Sequence, residues 1–188
     1  TGNCAYSPFP AGPAGVKTLR ADMGGVLISR AEWTWSTLDE WADVIETNGV
    51  SINVAAQVGN AALRIAVGAT ENRPANPDEL KEMQRLAAEA VEQGAFSLST
   101  GLSLTPSSYA NTDEVVALCQ AIAHYPGAFY VTHARVMPGW HIKCIEEAAE
   151  IGHRGGVPVQ FSHMAITERF FYGNGHKKVA VVEKVRAE

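Results

Sequence analysis

The feature that most constrains the fold is a repeated alternation of capped amphipathic helices with short β-branched runs. Thr37 and Glu40 form a capping-box pattern ahead of Leu38, Trp41, Ala42 and Ile45, which share a helical face. Asn76-Pro77-Asp78-Glu79 supplies an N-cap, a proline in the first turn and early acids. Leu80, Met83, Ala87, Ala90 and Val91 then line one face until Gly94. Asn111 and Glu114 repeat the capping pattern before Val115, Leu118 and Ile122. Ile142, Ile145, Ala148 and Ala149 mark a fourth helix ending near Gly152, and Val179, Val182 and Val185 a fifth after Gly175. Between the helices lie apolar runs of strand length, Ser51 to Val58, Ala95 to Ser99, Ala128 to Thr132 and Val157 to Ser162, each bounded by Gly or Pro. Their nearly continuous hydrophobicity fits strands covered on both faces of a parallel sheet, and the alternation is that of an α/β fold. An open doubly wound sheet and part of a (β/α) barrel both satisfy it. In either, the site lies at the carboxyl ends of the strands, where this chain has Asn60, Ser99-Thr100, His133 and His163.

Composition excludes several classes of function. The chain has 188 residues, 46% of them hydrophobic and 19% charged, which rules out intrinsic disorder and suits about one domain. No run approaches the ~18 to 20 apolar residues of a membrane span. A net charge of −5, with Lys and Arg scattered singly, argues against nucleic-acid and anionic-membrane surfaces. Three cysteines in no framework spacing point to a reducing, cytoplasmic setting. The chain opens on Thr1-Gly2-Asn3-Cys4 and closes inside the amphipathic run 177–188. Residues 1–188 therefore read as the central part of a longer protein, with no internal linker or repeat.

Two histidines stand in equivalent places. His133 follows Phe129-Tyr130-Val131-Thr132, and His163 follows Val159-Gln160-Phe161-Ser162, with one helix between. Neighbouring strands lie ~4.8 Å apart, so both imidazoles can reach one metal ion. Either histidine alone reads as a strand-end polar residue; the pair reads as a metal or catalytic site. Cys4, in a turn-forming stretch, is a soft metal ligand or a small buried hydrophobe. Cys119 and Cys144 fall on apolar helix faces and read as packing residues, while His124 and His153 suit helix C-termini. His141 and His176, near helix starts, are expected to be exposed. No CxxC, HExxH, GxSxG, Walker or dinucleotide-binding pattern occurs.

Six collinear segments carry a family resemblance: GNCAYSPFP, WTWSTLDEW, INVAAQVGNAALR, GAFSLSTGL, YVTHAR and GGVPVQFSHM. Together, from Thr1 to about Met164, they resemble the N-acyl-D-amino-acid deacylases (D-aminoacylases) of the amidohydrolase superfamily. The resemblance implies part of a metal-dependent (β/α)8 TIM barrel, about five of its eight strands, with the rest of the barrel supplied by a further segment or a second chain. It implies a zinc-dependent hydrolase of a non-peptide C–N (amide) bond, acting on a small-molecule amide such as an N-acyl-D-amino acid. In that family the cysteine of GNC and the histidines of THxR and SHxK hold one tightly bound zinc, which maps to Cys4, His133 and His163. Arg135 maps to a substrate contact or to a residue behind it.

The chain also departs from the family pattern. The family's His-x-His and its general-base Asp lie outside residues 1–188. Asn60 stands where the family has His, Leu104 where it has Tyr, and Ala165 where it has the Lys credited with holding the substrate carboxylate. Val136 and Met137 replace the acids that commonly follow Arg135. Alternatives are a non-catalytic, barrel-derived binding domain and a metal-free hydrolase using Cys4 as nucleophile and His133 as base. By itself the 188-residue chain is expected not to turn over an amide.

Overall fold

Strand and helix alternate as expected in the computed structural model, which describes residues 2–10, 15–19, 33–166 and 168–187. In chain order, the elements are α1 (Leu38–Asn48), β1 (Val58–Gly59), α2 (Asn60–Ala66), α3 (Pro77–Glu92) and β2 (Ser97–Gly101). There follow α4 (Thr112–Ile122), β3 (Phe129–His133), α5 (Lys143–Gly155), β4 (Val159–Ser162) and α6 (Gly175–Ala187). The strands form one parallel sheet in the order β1-β2-β3-β4. Four strands are present among the described residues. None of the described helices is long and apolar enough to cross a membrane.

Local chemistry sets the helix starts. The Thr37 hydroxyl accepts from the Glu40 N–H, and the Glu40 carboxylate accepts from the Ser36 and Thr37 N–H groups. Asn76 and Glu79 make the same reciprocal pair at α3. At α4 only half of the box forms. Asn111 accepts from the Glu114 N–H, but the Glu114 side chain turns inward to Arg64.

The register assigns the two faces of the sheet. Leu98, Thr100, Tyr130 and Thr132 lie on one face, where Leu98 and Tyr130 join Val58, Met83, Leu118, Ile122 and Ile151 in the main core. Ser99, Gly101, Val131 and His133 lie on the other, and against that face packs the turn Asn3–Ala5.

Three expectations need correction. The run from Ser51 to Val58 joins the sheet only at its end: Ile52 is 71% exposed, and Val50 and Val54 also meet water. β2 begins only at Ser97, so the earlier residues of the run have no paired strand beside them, and among the described residues no strand lies beyond β1. Helix α5 does not stop at Gly152. It continues to Gly155 and is capped by left-handed Gly156, while Gly152 serves close packing, since a Cβ there would sit 2.1 Å from Val159 Cγ2. Helix α6 is rotated by one residue from the expected face. Val179 is 51% exposed, whereas Val181 and Val182 pack on Ala134, Cys144 and Ile145, and Lys178 is buried with them.

Candidate metal centre

Three segments distant in sequence meet at the carboxyl end of the sheet. His133 is the last residue of β3, in register with Gly101 of β2 and Ser162 of β4, and His163 follows at once. The Asn3–Ala5 turn brings Cys4 over them. A Cβ on Gly101 would sit 2.7 Å from the Cys4 carbonyl oxygen, and one on Gly59 2.0 Å from that of Ala5. Only glycine at both strand ends lets the turn lie this close. The Ala5 N–H donates to the Ser99 hydroxyl, and the Gly59 N–H to that of Ser7, pinning the turn to the sheet.

Cys4 Sγ lies 3.6 Å from His133 Nδ1 and 3.2 Å from His163 Nε2. The two rings stand 5.3 Å apart at 72°, and the three donor atoms all fall within 4.8 Å of one another. Among the described residues, the non-glycine positions with positive φ are Cys4, Ala5 and His163. Side chains in that left-handed region cost about 1–2 kcal/mol each. Two of the three residues in the cluster are therefore held there by the surrounding packing against local preference, as at functional sites generally.

This donor set suits a borderline-soft divalent ion. With Zn–S of about 2.3 Å and Zn–N of about 2.0–2.1 Å, tetrahedral ligands would place sulfur and nitrogen roughly 3.6 Å apart. The sulfur–nitrogen separations here, 3.2 and 3.6 Å, are of that size. Burial pushes the Cys4 thiol above its ordinary value. Burial, with the nearby His163 adding to it, pushes His133 below its own, which keeps that ring neutral with a lone pair to donate. A thiol shifted upward is the opposite of an activated nucleophile, so the metal-free Cys4–His133 arrangement finds no electrostatic support.

The other singled-out residues lie elsewhere. Arg135 does not reach the cluster. Its Nε donates to Glu147 at 3.2 Å, its Nη1 to the Ser108 carbonyl at 3.1 Å and its Nη2 to the Ala110 carbonyl at 2.8 Å. Asn60 is fully buried at the start of α2, and neither polar atom of its side chain has a partner among the described residues. His141, expected in solvent, is half-buried and stacks on Phe171 with centroids 3.7 Å apart. Cys119 and Cys144 are packing residues, and burial pushes the Cys119 thiol up to about 12.

Two features had gone unnoticed in the sequence. Arg64 and Glu114 form a fully buried ion pair. Lys178 reaches into a cavity of about 80 Å³ beside His133 and His163, lined also by Phe161, Ser162 and Ala165. The spacing Lys178, Val181, Val182 and Val185 is a better helical face than Val179, Val182 and Val185, and it was the only available signal for the lysine.

Comparison with known proteins extends the picture beyond the cluster. No family model matches the chain. D-aminoacylase from Alcaligenes xylosoxydans xylosoxydans is 29% identical over 191 residues, covering 100% of this chain and 38% of its own length. N-acyl-D-aspartate deacylase from the same organism is 30% identical over 187 residues, covering 100% and 37%. The chain is similar to D-aminoacylases over its whole length. A crystal structure of D-aminoacylase, described as defining a novel subset of amidohydrolases, superposes with a TM-score of 0.88 at 28% identity, covering 100% of this chain and 39% of that one. N-acyl-D-glutamate deacylase from Bordetella bronchiseptica, solved with zinc and a phosphonate mimic of the tetrahedral intermediate, gives 0.84 at 25% identity, covering 100% and 38%. The fold is thus part of an amidohydrolase (β/α) barrel of the D-aminoacylase kind, and the chain spans about two fifths of the length of these relatives.

Proposed function

We propose that the protein is a zinc-dependent amidohydrolase that removes the acyl group from an N-acyl-D-amino acid, with Cys4, His133 and His163 holding one ion. The observation that carries this reading is the convergence of one sulfur from the Asn3–Ala5 turn and two imidazole nitrogens from neighbouring strand ends. Homology over the whole chain to D-aminoacylase and N-acyl-D-aspartate deacylase supports the amide and the acylated amino acid as the substrate class. In this reading residues 1–188 are the central part of one barrel domain, and the remaining strands come from a further segment or chain.

When bound, zinc would supply Lewis acidity toward the amide carbonyl and bring the acidity of a water toward neutrality. The chain's own residues hold and aim. His133 and His163 offer imidazole nitrogens from two neighbouring strands, and the Cys4 sulfur lies beside both. Binding the ion would deprotonate the Cys4 thiol, since the thiolate is the metal ligand. Arg135 acts as a positioning residue, tying the loop that leaves His133 to α5 and to the turn Ser107–Tyr109. Among the described residues no carboxylate lines the cavity beside the histidines. The proton acceptor is assigned to the Asp that the family resemblance places downstream. Three free cysteines fit a cytoplasmic setting.

The test is metal analysis of the protein at its full natural length, together with release of free amino acid from N-acetyl-D-amino acids. About one zinc per chain is expected, lost with activity in Cys4→Ala and His163→Ala. A metal-free protein that still hydrolyses these compounds would overturn the metal assignment. A metal-loaded protein that hydrolyses none of them would leave the non-catalytic binding domain as the better reading.

A further inference from the structure

We propose that Lys178 is the cation that receives the substrate's carboxylate, an inference that rests on the N-acyl-amino-acid reading above. Lys178 is 4% exposed, and its ammonium donates to the Ala165 carbonyl oxygen at 2.6 Å. An ammonium carries three donors, and a carbonyl offers no counter-charge. Among the described residues no carboxylate lies within ion-pairing distance of it. Glu168, which lines a small adjoining cavity with Lys178, instead accepts from the Gly139 N–H at 3.1 Å. A buried cation without a counter-ion is costly, and an anion delivered from outside removes that cost.

The position of the amine says which anion. Lys178 lines the same cavity as His133 and His163, so whatever it binds lies beside the proposed metal ligands. That cavity, about 80 Å³, has room for a group the size of a carboxylate and not for a whole acylated amino acid. The Ser162 hydroxyl, which lines it too, is buried without a partner among the described residues and is a second group able to donate to a carboxylate oxygen. Residue 165 contributes only a methyl group to the lining of that cavity. The substrate class is therefore an acylated compound with a free carboxylate close to the scissile amide.

The experiment compares N-acetyl-D-leucine with its neutral carboxamide as substrates of the protein at its full natural length. Wild type is expected to prefer the acid. Lys178→Met should raise KM for the acid roughly 10- to 100-fold, leaving kcat and the carboxamide values nearly unchanged. Lys178→Gln retains a donor for the Ala165 carbonyl, so a purely structural lysine would be replaced by it without loss; the same rise in KM is expected here. Lys178→Arg should restore most of the preference. Lys178→Met or Lys178→Gln protein that melts like wild type yet keeps the acid preference overturns the inference alone. If wild type hydrolyses neither compound, the deacylase reading falls and takes this inference with it.

Discussion

Arg64 and Lys178 are both buried cations, and their surroundings are opposite. Arg64 is fully enclosed and gives Nη1 to both Glu114 oxygens at 2.6 and 2.7 Å, with Nη2 on the Arg73 carbonyl at 2.6 Å. Glu114 in turn accepts from the Ala75 N–H at 2.8 Å. The charge closes within the scaffold, linking α2, α4 and the segment before α3, and only the Arg64 Nε is left without a partner among the described residues. Lys178 has a single neutral acceptor and faces a cavity beside two histidines. A buried charge that the fold neutralises is part of the frame; one left without a counter-charge at a cavity is available to a ligand.

Breaking the closed pair should have the largest effect. Arg64→Met, leaving Glu114 buried and unpaired, should lower stability by about 3–5 kcal/mol, whereas the paired change Arg64→Met with Glu114→Leu should recover much of it. Chemical denaturation of the two variants measures the difference. A single variant as stable as wild type would mean that water reaches Glu114 and that the pair is no frame at all.

The metal turn comes next. Gly101→Ala places a Cβ 2.7 Å from the Cys4 carbonyl oxygen, so the Asn3–Ala5 turn or β2 must move. The expected cost is about 1–3 kcal/mol, together with weaker zinc retention during dialysis against a chelator. Unchanged retention would show that the turn is not what aims Cys4.

A half-buried pair gives a smaller reference. Hydrogen bonds from Arg73 and from the Asn76 N–H hold the Glu79 carboxyl down at about 2. Its contribution is therefore fully present above its ordinary titration range and is lost as pH falls toward 2. Glu79→Gln should lower Tm at neutral pH by no more than about 2–4 °C, with the gap to wild type closing in acid. A gap that widened in acid would contradict the assignment.

At the bottom of the scale lies Lys178→Met. Removing a charge that the fold leaves uncompensated should change stability by less than about 1 kcal/mol, or raise it. A loss as large as that of Arg64→Met would place Lys178 in the frame and erase the contrast.

What the sequence disclosed follows from how local each determinant is. The capping boxes at Thr37–Glu40 and Asn76–Glu79 form within four residues, and both appear as read. The pattern at Asn111–Glu114 reads identically, yet its glutamate is claimed by Arg64, fifty residues away, which no local pattern signals. Strand β3 was legible because a buried strand has an apolar composition, whereas β2 is mostly small polar residues and was marked by Ala95, Phe96 and Leu98. The run from Ser51 to Val58 is apolar too, but its earlier residues have no paired strand beside them, and pairing decides. His133 and His163 stood out because they end consecutive strands. Cys4 did not: its left-handed conformation and its place over the sheet are set by contacts with Gly59, Gly101 and Ser99, so only the family resemblance marked it. Arg135 was marked by the resemblance as a substrate contact or a residue behind it; its acceptors, two backbone carbonyls and a glutamate on the next helix, are set by contacts that no local pattern signals.

The most direct measurement is anomalous diffraction at the zinc edge from crystals of the protein at its full natural length. The expected result is a peak within about 2.0–2.3 Å of Cys4 Sγ, His133 Nδ1 and His163 Nε2 together. Crystals grown with zinc that show no density among these three atoms, or a Cys4 side chain turned away from both imidazoles, would contradict the metal centre and the function built on it.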